Sequence, residues 1–406
     1  MIWRWQMWKL WHKVKMICAL MDAGTMAMGA IAMGGMRNIA KLLGKHVLEE
    51  WMNMYHIHSS FLLQYIMNRI EHLNIFILLL LLLFSCTNKG SMEKHQNNRD
   101  NIVTVKEEVK EIDMDDVIIG SVARLSIINN FLIINDSKSP DLLLHLFDCK
   151  NAGYKYISSA VPRGQGPGEI ANIGHIGVNS KKNEIYVSDH GKLKIFLYPL
   201  DSIVRNPFYQ PQIKKEINNI QFPSNYEYIC DTLSFARIIE PTGNVGHNEI
   251  LAKWNIESGD ILKMKYSNPK VEKKRISIAV SIEDDILVEA YHNYDLMTIL
   301  DLNGNLISNV YGKNWNSRNF KEINHYGKVI FIGKTIVASY SGGNRLTDEY
   351  YPTKLLLFDI NGNYVKTIET GYRISDFCYD DKNNNIIFNF EDVIQFGYLN
   401  LDGILD

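Results

Sequence analysis

The feature that most constrains this chain is an internal repeat. VNSKKNEIYVSDHGKLKIFLYPLDS, from Val178 to Ser202, lies without a gap on YDDKNNNIIFNFEDVIQFGYLNLDG, from Tyr379 to Gly403. Lys181/Lys382, Asn183/Asn384, Ile185/Ile386, Leu200/Leu401 and Asp201/Asp402 are identical, and the apolar positions largely coincide. Each copy reads as turn, strand, short turn, strand, then an acidic residue. Related units occur at Asp284–Gly304, at Lys354–Asn363 and at Leu142–Gly153. The acidic ends Asp148, Asp201, Glu257, Asp301, Asp359 and Asp402 are 43 to 58 residues apart.

A period of roughly 40–50 residues with four short strands each is the signature of a propeller blade. Six units fit between about residue 120 and the end of the chain. The sequence therefore predicts an all-β six-bladed β-propeller of four-stranded antiparallel blades over 102–406, preceded by an N-terminal signal/lipoprotein segment. Ile102–Val105 or Val117–Ile119 is expected to supply the strand that closes the ring onto the last blade. Asn303-Gly304 and Asn361-Gly362 fit type I′ hairpin turns. Asp301 and Asp359 begin Asp-x-Asn-Gly-Asn runs, but glycine at the fourth position does not match a calcium loop.

The N-terminal part is a different kind of polypeptide. Residues 1–66 hold 10 of the 15 methionines and 5 of the 7 tryptophans. They are expected to be an upstream over-extension of the reading frame, the alternative being a real extension with an interfacial aromatic helix. Residues 67–85 read as a lipoprotein signal peptide, since Ile75–Phe84 is an apolar run too short to span a bilayer. Leu83-Phe84-Ser85-Cys86 resembles a lipobox, with Phe84 departing from its pattern and Cys86 as the lipidated residue. Residues 86–101 are polar and read as a flexible tether. From Cys86 onward there are 35 basic and 41 acidic residues, a net of −6, which argues against a nucleic-acid partner. Cys149, Cys230 and Cys378 form neither a CxxC pair nor a disulfide framework and are expected in the core.

Arg163-Gly-Gln-Gly-Pro-Gly-Glu169 falls between the first two units. Together with the lipobox and the Asp-x-Asn-Gly-Asn hairpins, it resembles the TolB-like six-bladed β-propeller lipoproteins of Bacteroidota-type bacteria. That resemblance implies a surface or periplasmic lipoprotein and leaves its activity open. Physically, Gly164, Gly166 and Gly168 bring backbone N–H groups together in a nest able to hold an anion, with Glu169 at its end. The other reading is a tight crossover between blades.

With Arg163, and with Arg345 from the Gly-rich 341–345 loop, these residues are the candidate ligand-binding wall. His175, His190, His247, His292 and His325 fall in different units, so loops could gather some of them over the channel. No zinc, P-loop, GxSxG or paired-carboxylate signature accompanies them, and no cofactor or metal is implied. The expectation is a non-catalytic lipoprotein, held at the membrane by its lipid, whose channel face binds a protein or a small glycan or peptide. The alternative is a periplasmic lyase or hydrolase that uses the histidines, with or without a metal.

Overall fold

The structure, a computed structural model, describes residues 92–217, 221–242, 246–316 and 322–405. Cys86, the signal segment 67–85 and residues 1–66 lie outside the described residues. The chain enters with three short strands, β1 (Glu93–Gln96), β2 (Ile102–Thr104) and β3 (Lys110–Glu111). Blade 1 follows as β4 (Arg124–Ile128), β5 (Phe131–Asn135), β6 (Leu142–Asp148) and β7 (Lys155–Pro162). Blade 2 is β8 (Ile173–Asn179), β9 (Glu184–Asp189), β10 (Lys194–Pro199) and β11 (Gln212–Glu216). Blade 3 is β12 (Phe222–Cys230), β13 (Leu233–Pro241), β14 (His247–Trp254) and β15 (Ile261–Lys263).

Blade 4 is β16 (Ile276–Ser281), β17 (Ile286–Tyr291), β18 (Leu296–Asp301) and β19 (Leu306–Gly312). Blade 5 is β20 (Ile323–Ile332), β21 (Thr335–Asn344), β22 (Lys354–Asp359) and β23 (Tyr364–Glu369). Blade 6 is β24 (Ile374–Asp380), β25 (Asn385–Phe390) and β26 (Phe396–Asn400), with β3 as its fourth strand.

The six-bladed expectation holds, and packing explains it. Among the described residues, six apolar clusters each join two neighbouring blades, such as Ile133, Leu144 and Ile185 between blades 1 and 2. A blade so placed is covered on both faces, and accordingly every residue of Ile286–Tyr291 and Asn385–Phe390 is buried. All six acidic markers lie at or just after the end of a third strand. In blade 2, Asn183 Nδ2 donates to Asp201 Oδ1 (3.1 Å), and in blade 6 Asn384 Nδ2 donates to Asp402 Oδ1 (2.7 Å). Two of the five identities between the repeat copies are thus a hydrogen-bonded pair used twice.

Four expectations need correction. The ring is closed by neither Ile102–Val105 nor Val117–Ile119. Lys110 and Glu111 pair antiparallel with Tyr398 and Gly397 instead, while Ile102–Thr104 runs parallel to β23 as a fifth strand of blade 5. Of the stretch expected as a tether, Glu93–Gln96 runs parallel to β19 on blade 4. The segment therefore fastens the outer edges of blades 4, 5 and 6 in turn. The Asn-Gly hairpins are not type I′, because of each pair only Gly304 (φ 79°) and Gly362 (φ 81°) are left-handed. Each is a type I turn followed by a bulge glycine, in which the Gly N–H donates to Asp301 or Asp359 O (2.9 Å in both). The Asp301 carboxylate accepts the N–H groups of Asn303 and Asn305 (both 2.8 Å), an occupation by backbone rather than by a cation. Cys149 and Cys378 are buried as expected, but Cys230 is exposed.

The N-terminal arm is pinned by Arg99. Its Nη2 donates to Asp295 Oδ1 (3.1 Å) and Tyr326 Oη (3.0 Å) at the junction of blades 4 and 5. Asp295 is fully buried and also accepts Tyr340 Oη (3.0 Å) and the Asn314 N–H (3.1 Å). Removing one partner of such a pair leaves the other charge buried and uncompensated. Arg99→Ala is expected to lower stability in urea unfolding by about 3 kcal/mol, and adding Asp295→Asn to recover part of it. Unchanged stability of Arg99→Ala would show that the arm is held by its strand pairing alone.

Candidate functional site

In each blade the first strand faces the ring axis, so β4, β8, β12, β16, β20 and β24 line one central cavity of about 660 Å³. That is the size range of small-ligand sites. Because every blade runs its strands in the same order, the innermost strands point the same way. The crossovers between blades all lie at the end where those strands begin.

The lining changes character along the axis. Near the strand starts it carries Arg124, Gly174, His175, Ser224, Ser277 and Asp376. Toward the strand ends it carries Val178, Tyr228, Val280, Phe331 and Tyr379.

Asp376 organises one side of the polar half. Its side chain is fully buried, and it accepts the Leu125 N–H (2.6 Å) and the Lys328 ammonium (3.2 Å), with Arg124 at 3.7 Å. On the other side, Arg237 donates through Nε to Ser224 Oγ (3.0 Å) and through Nη1 to the Ile276 carbonyl (2.8 Å). Buried Glu249 lies 4.0 Å from Arg237 and is shared with Arg275 (3.8 Å). Glu227 opens onto the channel but is crowded by protein. Lost hydration raises its carboxyl above the usual carboxylate range against the pull of Lys328.

The histidines are divided among environments. His175 and His292 line the cavity. Burial, with repulsion from Arg237 and Lys328, holds His175 at about 3, edge-on to Tyr226. Burial and then repulsion from Arg237, Arg345, Arg124 and Arg275 hold His292 at about 3. His190 packs on Phe222, His247 sits 3.8 Å from Glu249, and His325, buried beside Tyr340, is lowered to about 4. Among the described residues, no three His, Cys, Asp or Glu side chains converge to hold a metal. Ser277 Oγ and His292 Nε2 are 3.0 Å apart, a nucleophile–base spacing. No described carboxylate orients this imidazole, however, and at about 3 it is a poor base at neutral pH.

The candidate glycine loop is the crossover from β7 to β8. Its nest is filled from within, because the Glu169 carboxylate accepts the Gly166 N–H (2.7 Å) and occupies the space where Gly164 has no side chain. Lys192 donates to the carbonyls of Gly166 (2.8 Å) and Glu169 (2.7 Å), and Arg163 to those of Ser137 and Ser139. None of Arg163, Gly164, Gly166, Gly168 and Glu169 lines the cavity. Arg345 is separate from them, bonded to Asn293 and to the Ile323 carbonyl, where its charge reaches His292. Arg124, Arg237, Lys328 and Asp376 carry no sequence motif. Their only signal is their place on or beside a blade's first strand.

Residues 113–328, just over half of the chain, match DUF5128, a family described as a 6-bladed beta-propeller. The chain belongs to that family. Its fold is similar to that of a DUF4221-family member from Bacteroides vulgatus, with a TM-score of 0.53 at 11% identity over 71% of this chain and 94% of that one. A candidate exported protein of Bacteroides fragilis matches with a TM-score of 0.45 at 14% identity, over 73% of this chain and 87% of that one. No curated protein matches the chain. DUF5128 membership establishes the propeller and carries no activity with it.

The buried imidazoles of this family member make its stability acid-sensitive. For His175, His292 and His325 the folded value lies below the unfolded value of 6.5, so the unfolded state binds more protons as pH falls. Their stabilisation is complete above pH 6.5 and is lost on acidification toward 4, at about 1.4 kcal/mol per histidine per pH unit. Glu227, with its raised value, acts in the opposite sense and strengthens the fold slightly on acidification. Urea midpoints measured from pH 7 to 4.5 are expected to fall steadily, and His292→Gln to flatten the slope. A flat wild-type profile would contradict this account of the channel histidines.

Proposed function

We propose that this propeller is a non-catalytic binding protein of the cell envelope, anchored through lipid on Cys86, whose channel takes a small glycan or peptide ligand. The observation that carries the reading is the central cavity of about 660 Å³ to which all six innermost strands contribute polar and apolar walls. A few placed polar groups against an apolar surface are the ordinary makeup of a ligand site. The Ser277–His292 pair, without an orienting carboxylate, supports binding over hydrolysis. The glycine loop then serves as a braced crossover whose anion is its own Glu169. The lipobox-like Leu83–Cys86 and the polar stretch after it support the anchor, and with it the finer kinship to TolB-like lipoproteins.

Ser126→Trp, a half-buried lining position on β4, places an indole in the channel. Calorimetric screening of oligosaccharide and short-peptide pools is expected to find ligands whose affinity drops at least tenfold in this variant. Ligands that bind the plugged form equally well would move the site off the channel. For the anchor, intact mass of protein extracted from native membranes is expected to begin at Cys86 with added acyl mass, lost in Cys86→Ala. An unlipidated species would refute the anchor.

A further inference from the structure

The polar half of the channel holds more donors than its own carboxylates accept. Asp376 satisfies Lys328, but Arg124 lies beyond hydrogen-bond distance at 3.7 Å, with a side chain 69% exposed. Glu249 is divided among the Ile276 N–H (2.9 Å), Arg275, His247 and, at 4.0 Å, Arg237. Arg237 uses Nε and Nη1 on Ser224 and Ile276, which fixes the plane of its guanidinium and leaves Nη2 without a protein acceptor. Arg124 and Arg237 both line the cavity and lie close enough to repel one another. The wall thus presents one pre-oriented guanidinium and one exposed guanidinium only loosely paired with Asp376, the fork geometry that matches a planar carboxylate.

Buried Asp376 and Glu249 offset two of the five cations Arg124, Arg237, Arg275, Lys328 and Arg345, and Glu227 adds a third carboxyl, so the zone keeps a cationic surplus. An anionic group on a ligand suits that surplus. Beyond the charged zone, the aromatic and aliphatic lining from Tyr228, Phe331 and Tyr379 offers a surface for a ring or apolar body.

We infer that the channel takes a ligand with one carboxylate, seated between Arg124 and Arg237, and a ring or apolar body directed toward Tyr228 and Tyr379. This rests on the reading of the channel as the ligand site and adds the chemical class. A peptide C-terminus and an acidic sugar both present that group.

The test uses hippurate, a carboxylate one peptide unit from an aromatic ring, its uncharged amide hippuramide, and inorganic phosphate. Each is titrated by calorimetry at constant ionic strength into the full mature chain. Hippurate is expected to bind at least tenfold more tightly than hippuramide. Arg124→Gln, at an exposed position that does not threaten folding, and Arg237→Gln are each expected to weaken hippurate at least fivefold and leave hippuramide unchanged. Equal binding of acid and amide, or no binding of hippurate, would overturn the inference, and phosphate binding tighter than hippurate would overturn the carboxylate assignment. Ser126→Trp separates the two levels. Hippurate that still binds the plugged channel defeats the ligand-site reading itself, whereas hippurate binding abolished by the plug but unchanged in Arg124→Gln and Arg237→Gln defeats only the charge assignment.

Discussion

Closure of the ring is the constraint on which the rest depends. An isolated blade is a small sheet with two apolar faces, and each of the six clusters needs a blade on either side. An open arc would expose two such faces and two strand edges. The last blade reaches the end of the chain with three strands, and the fourth comes from Lys110–Glu111, more than 280 residues earlier. Two paired residues are a small clasp. It is reinforced by Val105 and Val109, buried against blades 5 and 6, and by Ile112 in the cluster joining blades 6 and 1. Arg99 adds a buried ion pair earlier in the arm, at the junction of blades 4 and 5. The N-terminal arm is therefore structural material of the ring.

The same closure creates the site. Innermost strands have outer neighbours within their own blades, but their axial sides meet only each other and water. Residues facing the axis are thus released from the demand for apolar packing that rules the blade faces. This is why Arg124, Lys328 and Glu227 are tolerated at the centre of a molecule otherwise held together by aliphatic and aromatic contacts. Crowding there lowers hydration without excluding water, which explains neutral histidines and a raised carboxyl lining a polar cavity.

Much of the architecture was legible because blades repeat in sequence as well as in space. Asn183 with Asp201, and Asn384 with Asp402, stand out in a self-comparison because each pair makes the same local hydrogen bond. The acidic markers are legible for the same reason. The closing strand was not, since two residues of Lys-Glu have no strand pattern of their own and are defined by their partner. Turn type was misread because Asn-Gly suits both a type I′ turn and a bulged type I turn. The choice is made by the Asp301 and Asp359 carboxylates reaching round to the N–H groups that follow.

The site was the least legible part. A glycine-rich loop attracts notice, but here Glu169 has already taken the role of its anion. Arg124, Arg237, Lys328 and Asp376, the charged groups that meet in the channel, come from blades 1, 3, 5 and 6 and share no motif or spacing. Overall charge points the wrong way as well. The chain from Cys86 carries −6, yet the channel's start is surrounded by arginines and a lysine. A net value averages over the outer hairpins, where Asp201, Asp301, Asp359 and Asp402 cap turns. The field a ligand meets is set by the few groups within a Debye length of about 8 Å at physiological salt. In a ring, acidic turns outside and a cationic axis inside coexist without cancelling, because each is fixed by a different strand position within the same repeating blade.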